Sequence, residues 1–444
     1  MLNRQRRGRP SRWRKTGGRG AALIIVAVGL DAWAQGSLTM EDAVQRALAR
    51  APELSAARAG EQAADGRVDQ ARSAYLPRLG AEASYLARWP KNELPIDFSK
   101  LTIPIPISIG EIDDIHHVRA GVQVGMRVLD WSRGPRLDAA RQSLEAERAR
   151  TRETAAGLAF QVRGTFLAAL FARDLKRISG ESLRLAESEE KRARLRSDVG
   201  TGSQVALAQA RVRVAGLKAQ LRQAENELER QRRQLASLLG MSGGSLPEVA
   251  GELERLAGAV AERPLRDTPA LERLRASRAA AELAAKSASR TFIPTLNVLA
   301  KAEVEYPHVM KTEWGPLLQG GASISWEFFD GGLRRGQVRE AQAQARSLGE
   351  LSDATEQSLR RKLIDIDARR RTAEADLTSA RETLDQTQVY LRVARAAVAA
   401  GTGTDLDVHN AELGVDQARI AVQRALLAKA LTSAEALFVH GVTK

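Results

Sequence analysis

Two short stretches hold residues whose types and spacing invite chemistry. One is GTGS at 200–203, and the other is GTGTDLD at 401–407. In each, glycine frees the backbone to stop one helix, and Ser203 or Thr404 can cap the next. The second stretch adds Asp405 and Asp407, carboxylates that suit the positive end of a helix dipole. A further set of polar side chains alternates with apolar ones. Arg119, Gln123 and Arg127 do so within HVRAGVQVGMRVLD at 117–130, Glu82 does so after Pro77, and Glu327 does so in GGASISWEFFD at 320–330. His116 and His117 are neighbours that could bind a metal, but no third ligand cluster accompanies them. They read instead as the end of an external loop, 91–117. The sequence holds no phosphate loop, nucleophile elbow or paired-carboxylate site. With no cysteine it has no disulfide and no thiolate metal site. The expectation is a non-enzyme without metal or cofactor.

The elements that position these residues occur twice. APEL at 51–54 returns as TPAL at 268–271, and each opens a helical stretch that ends before a proline, Pro77 or Pro294. A period-two pattern follows each proline: Leu79, Ala81, Ala83 and Tyr85 in the first copy, Leu296, Val298, Ala300, Ala302, Val304 and Tyr306 in the second. Period two marks a strand with one apolar and one polar face. A second strand of the same kind ends at Asp130 in the first copy and at Asp330 in the second. The spacing predicts strands at 78–89, 118–129, 295–306 and 320–329. Long helices come next. From Leu207 the apolar positions Ala210, Val214, Leu217, Leu221, Ala224 and Leu228 step alternately by three and four, a coiled-coil seam. Val408, Ala411, Val415, Ala418, Val422 and Ala425 repeat it. A helix over 132–199 would be about 100 Å long. Arginine-rich segments such as 360–371 are mixed with acids and read as solvated helix faces.

The formal charge of +14 reflects 68 Lys and Arg against 54 Asp and Glu. Its placement argues against nucleic acid. Eight basic residues fall in the first 20 positions, followed by the apolar run AALIIVAVGL and then AWA at 32–34. That order is a secretory signal peptide, 1–34, and the apolar run is too short to span a bilayer. Its removal leaves 60 basic against 53 acidic residues, a net +7. Isolated two-faced strands in an exported chain point to a β-barrel. Four strands cannot close one, since about eight is the practical minimum. A symmetric oligomer of three chains would supply twelve.

The duplicated strand–strand–helical-hairpin unit, the FFDGGLRRGQ junction at 328–337 and the two glycine-hydroxyl turns resemble the TolC-type outer-membrane channel family over about residues 38–440. The resemblance implies a mostly α fold with a membrane β-barrel. It would be a homotrimer with a twelve-stranded barrel in outer-membrane lipid and an α-helical barrel extending into the periplasm. The chain then divides into a first repeat (35–240), an equatorial-domain connector (241–268), a second repeat (269–440) and a tail (441–444). Members act as the passive exit duct of tripartite efflux pumps or type I secretion systems. They work with a periplasmic adaptor and an inner-membrane transporter.

Carried onto this sequence, the resemblance makes Gly200, Thr201, Gly202, Ser203, Gly401, Thr402, Gly403 and Thr404 the adaptor-contact tips. Asp407 becomes a candidate for a ring of carboxylates at a periplasmic gate. Asn410, at a second acidic family position, is neutral, and an arginine latch of some members falls at Gly403. Arg119, Gln123, Arg127, Glu82 and Glu327 would line the barrel lumen, with Val, Ala and Met toward lipid. Trp89 and Tyr306 at one end, and Trp131, Phe328 and Phe329 at the other, would form the interfacial girdles. The alternative is a periplasmic coiled-coil adaptor or scaffold, which needs neither duplicated hairpins nor lipid-facing strands.

Overall fold

A computed structural model describes residues 37–87, 116–241, 248–256, 258, 264–308 and 313–443. The signal peptide, Arg88, Trp89, most of the external loop and part of the connector lie outside the described residues. The chain is mostly helical, with one antiparallel sheet. Helix α1 spans Met40–Arg50 and α2 spans Pro52–Ser73. Strands β1 (Arg78–Ala87) and β2 (His116–Leu129) follow, and then the helical hairpin α3 (Arg133–Asp198) and α4 (Gln204–Leu238). A single turn, α5 (Leu253–Leu256), separates the copies. The second copy is α6 (Pro269–Arg290), β3 (Thr295–Tyr306), β4 (Gly315–Ser325), α7 (Leu333–Ala399) and α8 (Asp405–Val439). Both α2 and α6 begin on proline, whose fixed φ suits a first helical turn and whose missing N–H costs nothing there.

The strands form a meander, β1-β2-β3-β4. Its register places the polar alternates together. Glu82 pairs with Gly121, Gly121 with Glu303, Gln123 with Lys301, and Lys301 with Gln319. On the other face Ala81, Val122, Ala302 and Leu318 stand in one row, and Leu79, Val124, Ala300 and Gly320 in the next. The apolar face is open, with Leu79 81%, Leu318 82% and Ile324 76% exposed. Contiguous apolar area of this size calls for an apolar partner.

Two expectations are corrected. The last strand is Gly315–Ser325, so Trp326, Glu327 and Phe328 lie beyond it in the link to α7. The period-two pattern runs past the point where pairing ends. Ser325 pairs with Thr295, and Pro294 before it cannot continue the ladder. Next, His116 and His117 begin β2 rather than ending a loop. As strand neighbours they point to opposite faces and cannot chelate together. Tyr85 Oη and His116 Nδ1 share a hydrogen bond of 2.8 Å.

The long helices α3 and α7 are each about 100 Å of unbroken rod, matched along their lengths by pairs of shorter helices. Part of α3 lies against α2 and α6, and the rest packs against α4 and α8. The main core forms where these pairs change over. Leu158, Val162, Phe166 and Leu170 of α3 meet Leu235, Leu239, Leu426 and Ala430, and α1 and α5 close it with Val44, Ala47 and Leu253. Leu38 and Val249 add a parallel bridge. One stretch of α3 is long and apolar enough to cross a membrane, and 61% of it is buried in the protein instead. Toward the tips the seam is as narrow as its sequence: Leu207, Val214, Ala411, Val415 and Ala418 are buried.

Candidate functional site

The two hairpin turns are built alike, 201 residues apart. Gly200 has φ 77° and Gly401 φ 74°, left-handed values that other residues rarely adopt. Thr201 and Gly202 donate their N–H groups to Arg196 O at 2.9 and 2.8 Å, and Thr402 and Gly403 do the same to Ala397 O at 2.9 and 3.1 Å. Each threonine hydroxyl adds a bond of 3.2 Å to the same carbonyl. The second glycine of each turn is there for space. A Cβ on Gly202 would sit 2.8 Å from Ser197 N, and one on Gly403 would sit 2.9 Å from Ala397 Cβ. Any longer side chain at Gly403, such as a latching arginine, has no room. Ser203 then caps α4 by accepting from Val205 N at 3.2 Å.

Asp407 is part of a complete capping box. It donates its N–H to Thr404 Oγ1 at 3.2 Å, and its Oδ2 accepts from Thr404 N at 2.9 Å and Thr404 Oγ1 at 2.6 Å. The Thr404 hydroxyl and N–H hold this carboxyl below the usual aspartate range. Asn410 is exposed one turn further on. Asp405 reaches across to the other turn, with Oδ2 4.0 Å from Arg196. The two tips therefore lie side by side.

At the opposite end of the rods is the sheet. Arg119, Gln123, Arg127 and Glu82 share its polar face. The charges there are largely matched: Arg119 is 3.5 Å from Glu305, Lys301 is 2.5 Å from Glu303, and Arg127 is 2.9 Å from Asp130. Glu327 is exposed outside the strand, so it does not belong to this row.

Sequence reading missed the joint between sheet and rods, which is also duplicated. Arg133 donates to Ala74 O at 3.4 Å, Arg127 O at 2.8 Å and Val128 O at 2.6 Å, with its guanidinium 4.5 Å over the Tyr75 ring. Arg334, its counterpart 201 residues on, donates to Thr291 O at 3.1 Å and to Glu327 O, and lies 4.9 Å over Phe292. Asp130 and Asp330 hold the turns that lead into the rods. Asp130 accepts from Ser132 N at 2.9 Å, and Asp330 accepts from Gly332 N at 2.9 Å, Arg334 N at 3.0 Å and Arg334 Nε at 2.6 Å. Each arginine thus pins a rod to the turn that leads into the strand pair before it. The pairing of Arg133 with Arg334 at the repeat offset was the available signal.

An open two-faced sheet, pinned to two rods about three times as long as a bilayer core is thick, defines the protomer of a membrane-anchored helical duct. The profile of outer membrane efflux proteins matches residues 43–241 and 261–438, and the chain belongs to that family of channel proteins. A search of curated proteins found no match. Among solved structures the chain is similar to CusC, with a TM-score of 0.77, 16% identity and coverage of 94% of this chain and 96% of that one. It is similar to the outer membrane protein VceC from Vibrio cholerae, with a TM-score of 0.74, 17% identity and coverage of 91% and 97%. It is similar to the MtrE outer membrane channel of Neisseria gonorrhoeae, captured in its open state, with a TM-score of 0.72, 17% identity and coverage of 91% and 89%. At these identities the likeness is one of fold.

The joint predicts an acid sensitivity. Bonds from Arg334, first its side chain and then its backbone, with Gly332 adding to them, pull the Asp330 carboxyl down from 3.8 to about 2. A depressed carboxyl contributes stability above its ordinary value and loses it as pH falls through the lowered one. Asp330→Asn should therefore melt below wild type at neutral pH. The two melting curves, followed by circular dichroism, should converge as pH falls from 3.8 toward 2.

Proposed function

We propose that the chain is exported by its N-terminal signal and assembles as a homotrimer. The trimer forms the passive outer-membrane exit duct for an inner-membrane transporter and its periplasmic adaptor. The observation that carries this is the sheet with two unpaired edges, β1 and β4, and an exposed apolar face. Hydrocarbon accepts no unpaired backbone N–H or C=O, so the sheet can enter a membrane only by closing on itself. Three copies joined β4 to β1 close a twelve-stranded barrel, with the row of Val122 toward lipid and the row of Gln123 toward water. The matched charges of the inner row suit a permissive wet conduit rather than an ion-selective filter. No catalytic chemistry is needed for this role.

In this reading Trp131, Phe328 and Phe329 sit at the periplasmic lipid interface, and Tyr306 at the outer one. The turns at 200–203 and 401–404 are the far ends of the rods, and we assign them to the mouth and the adaptor contact. An adaptor or scaffold, the alternative, has no use for the open apolar sheet. Fractionation tests the choice directly. The protein should be in the outer membrane and migrate as a heat-dissociable trimer in detergent gels. Monomer alone after chemical cross-linking in detergent would overturn the trimer.

The face assignment has its own test. Val124→Arg places a cation against lipid in every subunit, at about 2–4 kcal/mol each near mid-depth. Its outer-membrane yield should collapse, while Gln123→Arg should insert normally. Equal yields would reverse the faces.

For Asp407 we infer two roles, the helix cap and a carboxylate at the mouth. Asp407→Asn keeps an acceptor for the Thr404 N–H but removes the charge. Trimers of this variant should assemble, and their block by divalent cations in planar bilayers should weaken. Unchanged block would leave Asp407 with the cap alone.

A further inference from the structure

Within about 6–14 Å of the helix ends, at 1.5 Å per residue, an ionic cluster centred on one buried carboxylate joins all four long helices. Arg213 of α4, its side chain 12% exposed, faces Glu189 of α3 at 3.0 Å and Glu412 of α8 at 2.5 Å through one nitrogen. Arg395 of α7 binds the other oxygen of Glu412 at 2.7 Å. The Glu412 side chain is 2% exposed, beside Ala411 of the seam. Around this centre stand Arg192 on α3 and His409 and Asp416 on α8, with Ser182 of α3 bonded to Asp416. Other pairs that cross between the hairpins, Arg196–Asp405 and Arg419–Glu181, are exposed, and exposed pairs contribute little.

The two carboxylates converge on one guanidinium nitrogen. Arg395 reaches only Glu412, so Glu189 has the weaker claim to positive charge. We propose that Glu189 and Glu412 share a proton, and that this makes the cluster a pH-operated clasp between the two hairpins: closed with the proton bound, loosened when it leaves to water.

The electrostatics agree with the geometry. Burial, together with Glu412, pushes the Glu189 carboxyl up to about 7. Burial would also raise Glu412, but hydrogen bonds from Arg395, Glu189 and Arg213 outweigh it and hold that carboxyl low. Burial raises the Asp416 carboxyl, and burial followed by Arg213 lowers the His409 imidazole. A group whose carboxyl is raised in the closed state contributes most below its ordinary value. That contribution is lost as pH rises from 4.5 through about 7.

The clasp matters for transport only if the tips are the mouth, so it rests on the duct reading. Its test does not depend on transport. The natural sequence has no cysteine, so spin labels placed by Val212→Cys on α4 and Val393→Cys on α7, both exposed, report the spacing of the hairpins in the full-length protein. From about pH 5 to about pH 8 the ratio of parted to clasped spacing should rise roughly fifty- to hundredfold. With Glu189→Gln added, the spacing should stay clasped and pH-independent. Glu412→Gln leaves Arg213 a single carboxylate and should also abolish the pH response. A wild-type background unmoved by pH, or a Glu189→Gln protein that shifts as much as wild type, would overturn the clasp. Conductance of the unlabelled trimer at one pH judges the duct reading separately.

Discussion

The structure is organised by the rule that no backbone polar group can be left unpaired in hydrocarbon. A four-stranded sheet with an apolar face satisfies every backbone group except those along its two edges. A sheet of four strands is therefore incomplete in a membrane by itself, and its two edges call for partners. Everything below the sheet follows from holding that closure in place. The arginine joints fix where strand becomes rod. The core where the short helices change over holds the rods side by side, and the glycine turns let each rod return.

Duplication economises on solutions. The joint, the rod, the tight turn and the returning helix recur at an offset of 201, while the helix before each pair of strands recurs at 217. The difference falls in the link between paired strands, which is longer in the first copy. The turns keep the same two glycines for two separate reasons, one a left-handed backbone and the other a lack of room. Charge is what diverges. The first copy has Ala206 where a carboxylate would match Asp407, and only the second has Asp405 to reach across to Arg196.

Much of this was legible because it is periodic. Alternation gave the strands and their faces, and steps of three and four gave the seam. Two features were hidden for physical reasons. The end of β4 depends on its partner, since the alternation of Trp326 and Phe328 continues where Pro294 has already closed the ladder. Glu412 and Arg213 resemble the many solvated charges of an Arg- and Glu-rich helix. Only packing between hairpins, which no local pattern records, turns them into a buried pair.

The joints also have a mechanical meaning. A rod fixed at one end and loaded at the other behaves as a cantilever, and its deflection grows as the cube of its free length. Arg133 and Arg334 are the built-in supports, and the core around Phe166 is a brace part-way along. Bending is therefore smallest beside the membrane and largest at the glycine turns. A modest force applied there moves the free ends without disturbing the sheet, and shortening the span beyond the brace would stiffen the turns more than any added contact.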